Sequence, residues 1–228
     1  MQQDFAGTIA KVAAIGYEGV EFAGFFGNKN EDVKAALDNA GVTACSAHVS
    51  IYELENFFDG YIELCKLIGI KDLVVPWIDI KEYESSIKSL AALKEKLEKA
   101  GFNLHFHNHT DEFTSKHGDD MIMDYMFKTI DGLQMELDTA WSDKAGIDSP
   151  AYMKKYGSIM KLVHIKDYNN VDGNAELADL GEGQVDIPSI VKAAKEIGSE
   201  WLIVENDDPV PNGLSSLEKS FKYLKALV

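Results

Sequence analysis

A chain of 228 residues with 22 Lys and Arg against 38 Asp and Glu carries 22 − 38 = −16 charges at neutral pH. That acidity argues against a nucleic-acid backbone and against anionic membrane surfaces as partners, since both need clustered cations, but one or two local cations suffice for a small anionic substrate. The length can bury one large core and the 46% apolar content is that of a folded globular protein, so a single domain over residues 1–228 is expected.

The first residues, Met1-Gln2-Gln3-Asp4-Phe5, lack the basic and apolar regions of a signal peptide, and no apolar run approaches the ~18 residues of a membrane span. The two cysteines, Cys45 and Cys65, form no disulfide framework and read as small core residues, which points to a reducing, cytoplasmic setting.

In chain order one pattern recurs: an amphipathic helix, a glycine at its end, then a short apolar strand. The glycines are Gly16, Gly41, Gly69, Gly101, Gly132, Gly157 and Gly198, spaced by 25, 28, 32, 31, 25 and 41 residues. A glycine there is expected as a left-handed helix cap, and each spacing holds one strand and one helix. A helix is expected from Gly7 to Ile15, then strands at Val20–Phe22, Thr43–Val49 and Leu73–Val75. A helix over Asn56–Leu67 precedes the third strand. Tyr83–Lys99 places Ile87, Leu90, Leu93 and Leu97 on one helical face.

The fourth strand carries the segment Leu104-His105-Phe106-His107-Asn108-His109, whose three histidines share one face while Leu104 and Phe106 share the other. Strands at Met135–Asp138, Leu162–Lys166 and Trp201–Glu205 follow. Asp186 before Ile187-Pro188 starts a helix, and another spans Leu214–Leu227. Seven strand–helix units with a leading helix fit an open doubly wound sheet or an α/β TIM (β/α)8-type barrel that lacks its first strand, and polar residues at successive strand ends favour the barrel.

In such a barrel the chemistry lies at the C-terminal strand ends. These carry Glu21, His48, Trp77 after Pro76, His107 and His109, Glu136 with Asp138, His164 with Lys166, and Glu205. A buried carboxylate costs several kcal/mol unless it is paired or metal-bound. One such residue suits a structural ion pair, whereas His107, Asp138, His164 and Glu205 converging from four strands suit a metal. Mixed imidazole and carboxylate ligands fit Mn, Co, Fe or Zn.

His105 reads as core, and His117 as solvated. Trp77 and Trp141 suit either core packing or stacking on sugar. Lys166 suits either an ion pair or a substrate oxyanion. Glu182, between Gly181 and Gly183, lies in either a plain turn or a mobile loop that brings a catalytic carboxylate to substrate. The segment 206–213 reads as a rigid lid following Glu205.

With these residues in hand, the chain resembles the xylose isomerase-like TIM barrels known as sugar phosphate isomerases/epimerases. The resemblance rests on Ala14 to Phe22, Ser46-Ala47-His48, His107-Asn108-His109, Glu136-Leu137-Asp138 with Trp141, Ala145 to Asp148, His164-Ile165-Lys166-Asp167, Gly181-Glu182-Gly183 with Val185-Asp186, and Val204-Glu205. These stretches occur in family order along nearly the whole chain.

The resemblance implies a divalent metal on His107, Asp138, His164 and Glu205, and proton transfer next to a sugar carbonyl by Glu205 or Glu182. It implies substrate contacts from Glu21, His48, His109, Trp77, Trp141 and Lys166, with a small-molecule sugar or keto-sugar as partner. Sugar epimerases of the family have Glu where His107 stands, so one ring base favours isomerisation, or elimination from a 3-oxo-glycoside, over two-base epimerisation. The missing first strand would expose strand edges, which a second copy in a homo-oligomer would cover. It also suits a truncated barrel that binds sugar without turnover. An AP endonuclease on the same barrel is opposed by the charge of −16 and by Trp141 where that family has a histidine ligand.

Overall fold

The computed structural model describes residues 4–228. Contacts group them into two compact units, one ending at Phe106 and one spanning His107–Val228.

The first unit opens with α1 (Phe5–Ile15), whose N-terminus is capped by Asp4 accepting from Gly7 N. Then come β1 (Gly19–Phe22), α2 (Asn30–Ala40), β2 (Thr43–His48), α3 (Ile51–Asn56), α4 (Phe58–Ile68), β3 (Asp72–Val75), α5 (Tyr83–Ala100) and β4 (Asn103–His107). The strands are parallel in the order β1-β2-β3-β4. Ile87, Leu90, Leu93 and Leu97 form the buried face of α5, as their spacing requires. The single helix expected from Asn56 is two helices. A Ser50–Glu53 capping box starts α3 early, and Phe57 N donates to Glu53 O as α3 closes, so α4 starts afresh at Phe58.

The second unit holds α6 (Asp111–Thr114), a hairpin of β5 (Lys116–His117) and β6 (Asp120–Met121), α7 (Ile122–Thr129), β7 (Gln134–Asp138), α8 (Thr139–Lys144), α9 (Ser149–Tyr156) and β8 (Leu162–Ile165). An antiparallel hairpin of β9 (Asp167–Val171) and β10 (Asn174–Ala178) follows, then α10 (Ile187–Ile197), β11 (Trp201–Val204) and α11 (Gly213–Lys225). Strands β7, β8 and β11 are parallel neighbours in that order. The β9–β10 hairpin accounts for the long interval between Gly157 and Gly198. Buried Asp124 ties α7 to α9 by accepting from Tyr152 and Tyr156 hydroxyls at 2.8 and 2.7 Å and from Lys155 at 2.9 Å.

The four and three strands make seven parallel strands, the α/β content of a TIM barrel lacking one strand. Among the described residues no strand precedes α1. Six of the seven punctuating glycines have positive φ, as left-handed caps do. Gly157 does not, at φ −54°. Its missing side chain makes room for Ile197, whose Cβ would lie 2.9 Å from any Cβ added there, so this glycine serves the approach of α10 to α9. No helix of the described residues is long and apolar enough to cross a membrane.

Candidate metal centre

Register places the site in the second unit. Asp138 at the end of β7 is level with His164 in β8, and His164 is level with Ile203 in β11, so Glu205 follows just beyond that strand. The pleat turns alternate residues to one side, which aligns Glu136 with Asp138 and His164 with Lys166. His107 joins from the end of β4. Next to it, buried Asn108 donates to Asp138 O and accepts from Asp138 N at 3.2 and 3.0 Å, locking the two strand ends together.

One atom from each of His107, Asp138, His164 and Glu205 lies within 4.8 Å of the other three, so these groups could hold a metal ion. His107, Asp138 and His164 are buried, whereas the Glu205 side chain is 28% exposed, so the cluster opens on the Glu205 side. Asp138 divides its carboxylate. Oδ1 accepts from Ala140 N and Trp141 N at the start of α8, and buried Oδ2 turns to the cluster without a well-aligned hydrogen bond, 3.0 Å from Lys166 Nζ and 3.9 Å from His107 Nε2. An anionic oxygen held out of water among imidazole and carboxylate donors fits a divalent cation of the Mn, Co, Zn or Fe class.

Lys166 is fully buried and meets three carboxylates, Asp138 at 3.0 Å, Glu205 at 2.7 Å and Asp207 at 2.9 Å. Burial alone would lower its pKa, but Asp138, Glu205 and Asp207 outweigh burial and hold the ammonium charged. Burial likewise pushes Glu205 up, yet hydrogen bonds and charge from His164 and Lys166 leave it well below the usual carboxylate range.

His109 lies beyond the end of β4, not within the strand. Burial first, then the neighbouring His107 and the charge of Lys166, lowers its pKa to about 4, so the ring is neutral at pH 7. Its backbone N donates to buried Glu112 at 2.8 Å. The Trp141 ring lies 6.0 Å from that of His109, and Lys166 Nζ is 5.2 Å from the Trp141 ring. His109 Nδ1 and Trp141 Nε1 are both buried without a hydrogen-bond partner.

In the first unit Glu21 and His48 pair at 3.1 Å at the ends of β1 and β2, with Ser46 Oγ donating to Glu21. Trp77 follows β3 with 60% of its surface exposed. His105 is buried in β4, 2.8 Å from Asp72, as a core residue would be.

Glu182 is exposed, with its carboxylate 3.7 Å from Lys219 on α11, and it is not brought into the cluster. The loop around it is tied down. Buried Asp167 accepts from the backbone N–H groups of Gly181, Gly183 and Val185 at 3.0, 3.0 and 3.1 Å. Gly181 leaves room for the Tyr223 ring and Gly183 for the Asp167 carboxylate, so these glycines serve close packing rather than motion.

Two residues of the cluster have no role assigned to them in the sequence reading. Asp207 reaches Lys166 from just beyond Glu205, in a segment read as a lid. Glu136 lies 2.9 Å from His107 Nδ1 and 3.1 Å from His164 Nε2. Its parity with Asp138 in Glu136-Leu137-Asp138 was the signal that could have found it.

No curated protein matches the sequence. The fold is similar to that of a sugar phosphate isomerase/epimerase from Parabacteroides distasonis ATCC 8503, at 23% identity over 98% of this chain and 88% of that one, with a TM-score of 0.81. It is also similar to a xylose isomerase-like TIM barrel protein from Mycobacterium smegmatis in complex with magnesium, at 15% identity over 100% of this chain and 89% of that one, with a TM-score of 0.73. A third similar structure is the probable 3-DHS dehydratase involved in petrobactin synthesis from Bacillus anthracis, at 13% identity over 97% and 93% of the two chains, with a TM-score of 0.78. A family model described as xylose isomerase-like TIM barrel matches residues 9–227, and the chain belongs to that family.

Proposed function

We propose that this protein is a metal-dependent sugar isomerase/epimerase that moves a proton next to a sugar carbonyl. The observation that carries the reading is the convergence of His107, Asp138, His164 and Glu205 within 4.8 Å. A divalent ion bound there supplies Lewis-acid polarisation of substrate oxygens. Every other task falls to the chain's own groups.

The open flank of the cluster, beside Glu205, admits the substrate. Lys166, held charged in a buried site, faces the negative charge that develops on a carbonyl oxygen as the neighbouring carbon loses its proton. Glu205, anionic and the most exposed of the four, takes that proton and returns it. Neutral His109 and the indole N–H of Trp141 bind sugar hydroxyls through the two buried atoms that have no protein partner. The Trp141 ring offers an apolar face to the sugar ring.

Glu21, His48 and Trp77 remain substrate contacts in this reading, and Glu182 drops out of it because its loop is fixed and its carboxylate faces Lys219. With a single carboxylate to move the proton, aldose–ketose isomerisation fits better than epimerisation, and elimination from a 3-oxo-glycoside begins with the same proton removal. The acidic surface keeps the proposed partner a small sugar or keto-sugar.

Glu205→Gln, assayed with saturating cobalt(II), is expected to slow exchange of the carbon-bound proton with deuterated water about 10²- to 10⁴-fold on the ketose or 3-oxo-glycoside turned over by the wild type. Full exchange in that variant removes Glu205 from the reaction.

A further inference from the structure

We infer that Glu136 is a positioning residue that sets which ring nitrogen His107 presents to the cluster and holds the His164 ring beside it. The inference rests on the metal reading above and names the part of the site that gives it a fixed shape.

Glu136 is fully buried at the middle of the β7 end, one pleat before Asp138. The same oxygen, Oε1, lies 2.9 Å from His107 Nδ1 and 3.1 Å from His164 Nε2. A carboxylate accepts only, so His107 Nδ1, hydrogen-bonded to Oε1, carries its proton and donates to Glu136. The opposite edges of the two rings then point to the other carboxylates. His107 Nε2 lies 3.9 Å from Asp138 Oδ2, and His164 Nδ1 lies 2.9 Å from Glu205 Oε2.

The two imidazole rings are 4.7 Å apart between centroids and inclined at 72°, an edge-on arrangement that one shared acceptor at their rear edges would hold. A ligating histidine whose second nitrogen donates to a carboxylate is fixed in tautomer and orientation, and its ligating nitrogen becomes more basic. Here one carboxylate does this for His107 and lies equally close to the His164 ring, because the strand pleat places it beside both. The buried carboxylate accepts from the His107 N–H and faces the edge of the His164 ring, which gives a glutamate rather than an apolar residue a task at this interior position.

Two measurements separate this role from simple packing. In wild-type protein stripped of metal with chelator, long-range ¹H–¹⁵N NMR at pH 8 reports the protonated nitrogen of each ring. For His107 a proton on Nδ1 and none on Nε2 is expected. In Glu136→Leu, His107 is expected to lose its fixed tautomer and to become a mixture, and cobalt(II) affinity by titration calorimetry is expected to fall about 10- to 100-fold. Glu136→Gln keeps an acceptor oxygen and is expected to recover most of that affinity and the His107 tautomer.

A proton on His107 Nε2 in the wild type overturns the inference, whether or not the Leu variant folds. So does a folded Glu136→Leu protein with wild-type tautomers or wild-type cobalt(II) affinity. Wild-type protein that binds no cobalt(II) overturns the metal reading instead, and the NMR result shows separately whether Glu136 orients the rings.

Discussion

Asp138→Asn is expected to weaken cobalt(II) binding by more than about 100-fold while the protein stays folded. The two carboxylate oxygens of Asp138 do different things. Oδ1 accepts from Ala140 N and Trp141 N and caps α8, a task that an Asn carbonyl performs as well. Oδ2 faces the cluster and Lys166, and an amide NH₂ in its place brings donors where a cation would need an anion. The substitution therefore removes the ligand and spares the helix start. Titration calorimetry with cobalt(II) and circular dichroism on the same sample read the two effects separately. A folded variant with wild-type affinity would take Asp138 out of the ligand set.

Lys166→Met is expected to destabilise the metal-free protein by about 3–5 kcal/mol, measured by urea unfolding at pH 7. Met keeps the length and apolar stem of the side chain, so packing is nearly conserved. What is lost is a fully buried cation within 3.0 Å of Asp138, Glu205 and Asp207, which leaves a buried carboxylate without its counter-charge.

The sign of the pH dependence follows from Glu205, whose folded-state pKa is depressed below its ordinary value of about 4.3. A depressed carboxylate contributes stability that is complete above the unfolded value and is lost as pH falls through and below the ordinary carboxylate range. Wild-type stability is thus expected to decline below about pH 5. The deficit of Lys166→Met narrows there, because protonated carboxyls no longer need the ammonium. A deficit that is small at pH 7, or that does not change between pH 7 and pH 4, would show that Lys166 acts through packing alone.

The order of helices and strands was legible because two local rules, the period-two pleat and the glycine that ends each helix, act on neighbouring residues. Ile87, Leu90, Leu93 and Leu97 lie on the buried face of α5, and Glu136 shares a side with Asp138, as the sequence pattern alone requires. Errors arose where long-range contacts decide.

Gly157 has the same sequence setting as the other punctuating glycines, but its place is fixed by Ile197, forty residues away. Gly181-Glu182-Gly183 reads as either a plain turn or a mobile loop, and the structure shows a tightly bonded one. The Asp167 carboxylate gathers its backbone N–H groups, and Tyr223 and Asp167 occupy the space a side chain would need. Glu182 then turns to Lys219, a partner on α11 that no local pattern indicates.

Among the site residues, the four proposed ligands share an end-of-strand position that the sequence displays. The partners behind them do not. Glu136 shows its role only when two rings from different strands are seen to share one of its oxygens, and Asp207 only when the reach of Lys166 is known.

The central claim, that the cluster on β4, β7, β8 and β11 is a divalent-metal site, is tested most directly by counting metal. Wild-type protein equilibrated with cobalt(II) and freed of excess ion by gel filtration is analysed for cobalt per chain, with its visible absorption spectrum recorded. The result predicted is one ion per chain with a spectrum of mixed nitrogen and oxygen ligation, lost in Asp138→Asn and in His164→Ala. Wild-type protein that retains no cobalt, or variants that retain it unchanged, would contradict the claim.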